Sequence, residues 1–232
     1  MPPLLVLWDI DHTLLDGGTA ARDAYAAAFR QATGRLLDEP WQFDGRTELA
    51  AATEVLRAHG LDPDDGLLNG FLDALVAEFR DRAGELVASG RVLPGVVDAL
   101  TAVSALPGMH QSVLTGNLYE LAVLKLTVFG LSDYVDFRVG AYGGDAYERT
   151  DLPIHAFART ERYLGRRHTG ADTVLVGDAL RDIATAQAVG ARIVAVATGT
   201  VGVAELAAAG PDVVLPNLAD TPTVVRALIG SR

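Results

Sequence analysis

Five short apolar runs recur along the chain, and stretches with helical spacing separate them. Each run is too short for a typical helix and is rich in strand-forming residues, which favours a buried β-strand. Strands that alternate with helices pair in parallel, because each helix carries the chain back over the sheet. The pattern therefore predicts an α/β fold with a doubly wound parallel sheet. Its predicted strands are Leu4–Trp8, Gln111–Leu114, Thr173–Val176, Arg192–Val196 and Val213–Leu215.

Between residues 16 and 90 this alternation stops, and helical patterns follow one another without a convincing strand: Thr19–Thr33, Thr47–His59 and Asp64–Ala88. An insertion of helices after the first strand accounts for this. The alternative, an all-helical N-terminal half, would leave the first strand without a partner. We therefore predict a core of residues 1–15 and 91–232 and an inserted helical domain of residues 16–90. Core helices are predicted over Val96–Ser104, Leu118–Phe129, Ile154–Leu164, Ile183–Val189, Val203–Ala209 and Thr223–Ile229.

The composition excludes several classes of function. A formal net charge of −11 argues against nucleic-acid binding, which requires a basic face. The absence of cysteine excludes disulfides and thiolate nucleophiles. No apolar stretch reaches the roughly 20 residues that cross a bilayer, and no basic residue precedes the first apolar run as in a signal peptide. We expect a cytoplasmic monomer or homodimer that binds neither nucleic acid nor membranes.

Two aspartates, Asp9 and Asp11, directly follow the first predicted strand. Ligands of open α/β sheets bind at the carboxyl ends of the strands, so these acids lie where a site is expected. Two carboxylates this close need a cation or a shared proton. One can then bind Mg²⁺ and act as a nucleophile while the other transfers a proton. The alternative is an acidic turn in which Asp11 caps a helix.

A second acidic pair, Asp178 and Asp182, follows another apolar run and a glycine, Gly177. If a helix begins near Ala179, Asp182 lies one turn beyond Asp178. Taken alone, the pair is equally well explained by a helix N-cap and an acidic first turn. Together with the first pair, it forms a set of hard oxygen ligands that suits Mg²⁺.

The segment Thr115-Gly116-Asn117 ends a third predicted strand. It offers a hydroxyl, a flexible backbone and an amide, which are neutral donors for phosphoryl oxygens. A helix that starts at Leu118 would add the anion preference of its N-terminus. The alternative is a simple turn with Asn117 as the N-cap.

These three segments resemble the motifs of the haloacid dehalogenase superfamily, in particular its phosphoglycolate-phosphatase-like branch. Residues Asp9–Leu14 match the pattern Asp-x-Asp-x-Thr-Leu, and the Thr-Gly-Asn and Gly-Asp-x-x-x-Asp segments follow in the family's order. The resemblance implies a Rossmann-like core with a helical cap. It also implies a Mg²⁺-dependent phosphatase that hydrolyses a small-molecule phosphate ester through an aspartyl-phosphate.

The resemblance further assigns roles to individual residues. Asp9 would be the nucleophile and Asp11 the general acid and base. The transferring phosphoryl group would contact Thr115, with Gly116 and Asn117 beside it. The Mg²⁺ ligands would be Asp9, the backbone carbonyl of Asp11, and Asp178, with Asp182 supporting them.

The chain departs from the family in one respect. The family usually has a lysine between its second and fourth motifs, but the single lysine here, Lys125, follows Thr115 by only ten residues. We interpret Lys125 as a solvated helix residue. Arg149 is predicted to replace the family lysine, because it lies in a loop just before the predicted helix Ile154–Leu164, where the family's lysine normally falls. Arginine can also bridge carboxylate and phosphate groups. Arg159 is the alternative.

In the predicted insertion, Arg46 belongs to a Gly-x-Thr segment that resembles substrate-facing segments of this branch. It would bind an anionic leaving group, unless Thr47 is simply a helix N-cap with Arg46 solvated beside it.

Other activities of the superfamily are also possible for such a chain. The acidic residues disfavour a metal-free dehalogenase, and the absence of lysine between residues 16 and 90 disfavours a phosphonatase. A phosphosugar mutase resembling β-phosphoglucomutase and a catalytically weakened phosphate-binding module stay open.

Overall fold

The five predicted strands form one parallel sheet in the computed structural model, which describes residues 4–37 and 45–230. They are β1 (Leu4–Trp8), β4 (Met109–Val113), β5 (Thr173–Gly177), β6 (Arg192–Val196) and β7 (Val213–Leu215). Their order in the sheet is β4-β1-β5-β6-β7, so the strand that precedes Asp9 lies between two neighbours. A separate antiparallel pair joins β2 (Leu15–Asp16) to β3 (Arg91–Val92), and the sequence did not predict these two-residue strands.

Helices cover both faces of the sheet, which confirms the doubly wound fold. Along β1, Val6 and Trp8 pack on one face with α5 (Val96–Ser104), α6 (Tyr119–Val128) and α10 (Thr221–Ile229). Leu5 and Leu7 pack on the other face with α7 (Leu152–Leu164), α8 (Leu180–Val189) and α9 (Val203–Ala208). None of the helices in the described part of the chain is long and apolar enough to cross a membrane.

The described residues between 17 and 90 form helices that bury their apolar faces against one another. These are α1 (Ala20–Thr33), α2 (Glu48–Ala58), α3 (Asp65–Asp81) and α4 (Ala83–Ser89). Leu118 and Leu121, at the start of α6, belong to the same apolar cluster and so connect these helices to the rest of the molecule. The exact division of the chain into two domains stays a prediction.

The single helix predicted over Asp64–Ala88 is wrong in one detail, because the structure divides it into α3 and α4. The backbone leaves helical geometry at Arg82, where ψ is 14°. The change of direction lets α4 bury Leu86 completely. In α7 the helix begins before the predicted Ile154, because Pro153 is tolerated within the first turn.

Trp8 fixes the end of β1 that leads into Asp9. Its side chain is fully buried, and its indole N–H donates to Gln111 Oε1 at 3.1 Å on the neighbouring β4. Gln111 in turn donates from Nε2 to the Leu100 carbonyl of α5 at 3.0 Å. The position of Asp9 therefore depends on a packed and hydrogen-bonded strand.

Trp8→Ala should lower the free energy of unfolding by about 3–5 kcal/mol, because it leaves a cavity and removes the donor to Gln111. Leu36→Ala is the matched control, since Leu36 is 66% exposed and its loss should change stability by less than about 0.5 kcal/mol. Urea denaturation of both variants measures the difference. A loss below about 1 kcal/mol for Trp8→Ala would show that Trp8 does not anchor β1.

Candidate active site

The carboxyl ends of β1 and β5 and the loop after β4 border a cavity of about 720 Å³. Helices α1, α2 and α3 close its other side through Tyr25, Glu48 and Phe79. Most of the site residues that the sequence predicted line this cavity. They are Asp9, Asp11, Arg46, Thr115, Gly116, Asn117, Arg149 and Asp178. Asp182 does not line the cavity and lies buried in the first turn of α8.

Asp9 extends β1 by one residue. Its backbone N–H donates to the Val176 carbonyl of β5 at 2.8 Å, and its side chain is almost completely buried. A tight turn follows, in which His12 has a positive φ of 60° and the N–H of Leu14 donates to the Ile10 carbonyl. The turn places Asp11 on the wall of the same cavity as Asp9.

Arg149 lies between two carboxylates at the bottom of the site. Its Nη2 atom is 3.0 Å from Asp9 Oδ1 and also donates to Asp182 Oδ1. Its Nη1 atom donates to the Gly45 carbonyl at 3.0 Å. Burial alone would lower the pKa of Arg149, but the Asp182 and Asp9 carboxylates raise it above its ordinary value. The guanidinium therefore stays charged beside Asp9.

Asp9, Asp178 and Asp182 form a buried acidic cluster whose carboxylate oxygens lie within 4.8 Å of one another. Burial raises the pKa values of Asp9 and Asp178, and repulsion from the Asp182 carboxylate raises both further, although Arg149 opposes these shifts. A divalent cation would relieve this repulsion, and carboxylate oxygens are the ligands that Mg²⁺ prefers. The residues present therefore fit a divalent metal ion.

Gly177 makes this close grouping possible. A Cβ atom at this position would lie 2.3 Å from Cγ of Asp182, so any other residue would displace that carboxylate. Asp182 Oδ2 accepts a hydrogen bond from the Ala179 N–H at 3.0 Å, which holds the side chain over the glycine. The Asp182 side chain therefore occupies the space that a side chain at position 177 would need.

The interpretation of Lys125 as a solvated helix residue is wrong. Its side chain is 4% exposed. Its Nζ lies 2.8 and 2.7 Å from the two carboxylate oxygens of Asp11 and 2.7 Å from Asn117 Oδ1. Burial raises the pKa of Asp11, but Lys125 and Asn117 outweigh this effect and hold it below its usual range. The signal in the sequence is the apolar character of α6 on all sides, which is typical of a buried helix.

Asn117 connects Lys125 to the phosphate-binding segment that the sequence predicted. Its Nδ2 donates to Asp11 Oδ2 at 2.7 Å and to Thr115 Oγ1 at 2.8 Å. The alternative role of Asn117 as the N-cap of α6 is not observed, because Leu118 occupies that position. Thr115, Asn117, Asp11 and Lys125 thus form one hydrogen-bonded chain along the cavity wall.

The two remaining arginines have different surroundings. Arg46 lines the cavity, and its Nε is 3.0 Å from Glu54 Oε2 of α2. Thr47 caps α2 by accepting from the Ala50 N–H at 3.2 Å. Arg159 instead pairs with Asp145 and is not among the cavity residues.

Comparison with known proteins places these features in a family. Residues 4–190 match the model of the haloacid dehalogenase-like hydrolases. The probable phosphatase IndB of Dickeya dadantii is 26% identical over an alignment of 233 positions. The alignment covers 97% of this chain and 94% of IndB.

Solved structures show the same fold. A predicted phosphatase from Clostridium acetobutylicum has a TM-score of 0.72 at 18% identity, with 97% of this chain and 100% of that chain covered. CbbY from Rhodobacter sphaeroides in complex with phosphate has a TM-score of 0.72 at 20% identity, with 94% and 96% covered. Because the family match spans most of the sequence, the chain belongs to the haloacid dehalogenase-like hydrolase family, as its motifs predicted.

Proposed function

We propose that this protein is a Mg²⁺-dependent phosphatase that hydrolyses a small-molecule phosphate monoester through an aspartyl-phosphate on Asp9. The observation that carries the proposal is the Arg149 guanidinium beside Asp9 within a buried acidic cluster. Such a site attracts a cation and a phosphate group together, and Asp9 is available as the nucleophile. The similarity to the probable phosphatase IndB supports the same reaction.

The reaction proceeds in two displacements at phosphorus. An Asp9 carboxylate oxygen attacks phosphorus and the ester P–O bond breaks, while Asp11 protonates the departing alkoxide. Asp11 then accepts a proton from water, whose oxygen attacks the aspartyl-phosphate and releases inorganic phosphate. Proton transfer of this kind contributes about 10²–10⁴-fold to the rate.

The other residues bind and orient the phosphoryl group. Arg149 neutralises the phosphate oxygens next to Asp9, and Thr115 donates a hydrogen bond from its hydroxyl. Asp9, the backbone carbonyl of Asp11 and Asp178 would hold Mg²⁺, with Asp182 behind them. Bound there, Mg²⁺ supplies positive charge that reduces the repulsion between carboxylate and phosphate.

The position of Arg149 also bears on the alternative of a weakened phosphate-binding module. That alternative was open because the family lysine is missing from its usual place. A permanently charged guanidinium 3.0 Å from Asp9 removes this reason, because it can perform the same electrostatic task.

Asp9→Asn should reduce the hydrolysis of p-nitrophenyl phosphate by about 10⁴-fold or more, because the amide cannot form the covalent intermediate. Asp98→Asn is the matched control, since Asp98 is exposed on α5. Phosphate release is measured with Mg²⁺ and with EDTA, and EDTA should abolish it in the unmodified protein. Full activity in EDTA would contradict the metal requirement. Residual turnover of the asparagine variant above a few per cent would contradict the role of Asp9.

Arg149→Ala should reduce kcat by about 10²–10³-fold, and Arg149→Lys should restore part of the loss, because the lysine returns a positive charge beside Asp9. Arg138→Ala controls for the loss of an arginine, since Arg138 is largely exposed and pairs with Asp136 outside the cavity. Thermal unfolding of each variant distinguishes a catalytic effect from loss of the fold. Rates close to those of the unmodified protein in Arg149→Ala would remove Arg149 from the mechanism.

Lys125→Met should lower kcat for alkyl phosphates by about 10-fold or more and should affect p-nitrophenyl phosphate less. Lys125 positions Asp11, and only a poor leaving group requires the proton that Asp11 donates. In an Asp11→Asn background the same substitution should cause no further selective loss. Equal losses on both kinds of substrate in the Asp11 protein would show that Lys125 acts in another way.

A further inference from the structure

Glu48 is an acidic residue of the cavity that the mechanism above does not use. It is the first residue of α2, and its Oε2 atom is buried without a hydrogen-bond partner among the described residues. Burial raises the pKa of Glu48 to about 7; Lys125 opposes this effect and Asp11 adds to it. A buried carboxyl oxygen without a hydrogen-bond partner costs free energy. A hydrogen-bond donor on a ligand would therefore bind to it favourably.

Lys125 is the nearby cation, but it is already fully engaged. An ammonium group has three protons, and its Nζ makes three close contacts, two with Asp11 and one with Asn117. No ion pair joins Lys125 to Glu48 in the part of the chain that the structure describes. The acceptor on Glu48 therefore stays available to a ligand.

The backbone of Glu48 is held against the phosphate-binding loop. Its N–H donates to the Gly116 carbonyl at 2.8 Å, and the next N–H, that of Leu49, donates to the Gly143 carbonyl at 3.2 Å. The contact is close enough that a Cβ atom on Gly116 would lie 1.9 Å from the Arg46 carbonyl oxygen. The start of α2 is therefore held at a defined distance from Thr115 and Asn117.

This position lies on the path of the leaving group. In the proposed reaction the ester oxygen must lie beside Asp11, so the atoms attached to it enter the part of the cavity next to Asp11. Lys125, Glu48, Tyr25 and Phe79 line the cavity there, around or close to Asp11. Because the charge of Lys125 is paired with Asp11, a carboxylate or second phosphate on the leaving group would meet the Glu48 carboxylate.

We infer that Glu48 accepts a hydrogen bond from the leaving group, and that the substrates are phosphate monoesters of alcohols that carry a hydroxyl or amino group. This inference rests on the proposed phosphatase function and specifies its substrate class. Glu48 is thereby a specificity-determining residue. An anionic leaving group such as that of phosphoglycolate is disfavoured, contrary to the expectation for Arg46, whose guanidinium pairs with Glu54.

A matched series of esters tests the inference in the intact protein with Mg²⁺. Ethyl, 2-hydroxyethyl and 2-aminoethyl phosphate and phosphoglycolate share a two-carbon leaving group and differ only in its terminal group. Propyl, 3-hydroxypropyl and 3-aminopropyl phosphate extend the reach by one carbon. The values of kcat/KM are measured for the unmodified protein, Glu48→Gln, Glu48→Leu and the control Glu161→Gln, in which the acidic residue is exposed on α7.

In the unmodified protein, the hydroxyl or amino esters of at least one chain length should exceed their alkyl counterpart by about 10-fold or more. Glu48→Leu should abolish this preference, and Glu48→Gln should reduce it most for the amino esters, because the negative charge is lost. A thermal unfolding midpoint close to that of the unmodified protein shows that the fold of each Glu48 variant is intact. The kcat/KM values of the hydroxyl esters and the amino esters, compared with each other, show which hydrogen-bond donor the protein prefers.

Several results would overturn the inference. They are equal kcat/KM for alkyl and donor-bearing esters at both lengths, phosphoglycolate as the best substrate, or equal losses on all esters in the Glu48 variants. These results leave the phosphatase function standing, because the esters are still hydrolysed. Absence of turnover of every ester, including p-nitrophenyl phosphate, would instead overturn the phosphatase proposal and this inference with it.

Discussion

The burial of Asp9, Asp178 and Asp182 around a single guanidinium is the constraint on which the rest of the site depends. Carboxylates removed from water repel one another strongly, and the Arg149 side chain offsets only part of that repulsion. The neighbouring ends of β1 and β5 and the first turn of α8 hold the acids in place regardless. A cation bound among these acids would relieve the repulsion, and the proposed reaction at a phosphate dianion requires such a cation.

A second cation separates the roles of the two aspartates in the first motif. Asp9 faces Arg149 within the acidic cluster, whereas Asp11 faces Lys125 and Asn117 on the opposite wall. Their pKa values are shifted in opposite directions, upward for Asp9 and downward for Asp11. For the proposed roles, a cation bound in the cluster would ionise Asp9, and the negative charge of a bound phosphate would favour the protonated form of Asp11.

The helices between residues 17 and 90 do more than cover the cavity. The start of α2 is hydrogen-bonded to the loops that carry Gly116 and Gly143, so its side chains have defined positions relative to the phosphate site. In the proposed reaction the chemistry lies in the core strands and loops, and the inferred role of Glu48 assigns substrate choice to α2. Substitutions in α2 can therefore change the substrate without disturbing the carboxylates that react.

The sequence by itself determined the parallel sheet and the placement of Asp9, Thr115 and Asp178 at the ends of strands. These features follow from local patterns, because a short apolar run and the polar residue after it are adjacent in the chain. It also pointed to Arg149 as the cation beside Asp9, through the position of this residue before a helix. It did not reveal β2 and β3, which are too short to have a pattern of their own.

Only the tertiary structure decided what Lys125 and Glu48 contact. Lys125 meets Asp11 from 114 positions away along the chain, and Glu48 reaches the cavity because α2 docks on loops from distant segments. Local spacing describes how one segment forms, but the free energy of a buried charge depends on partners that only the packed fold brings together.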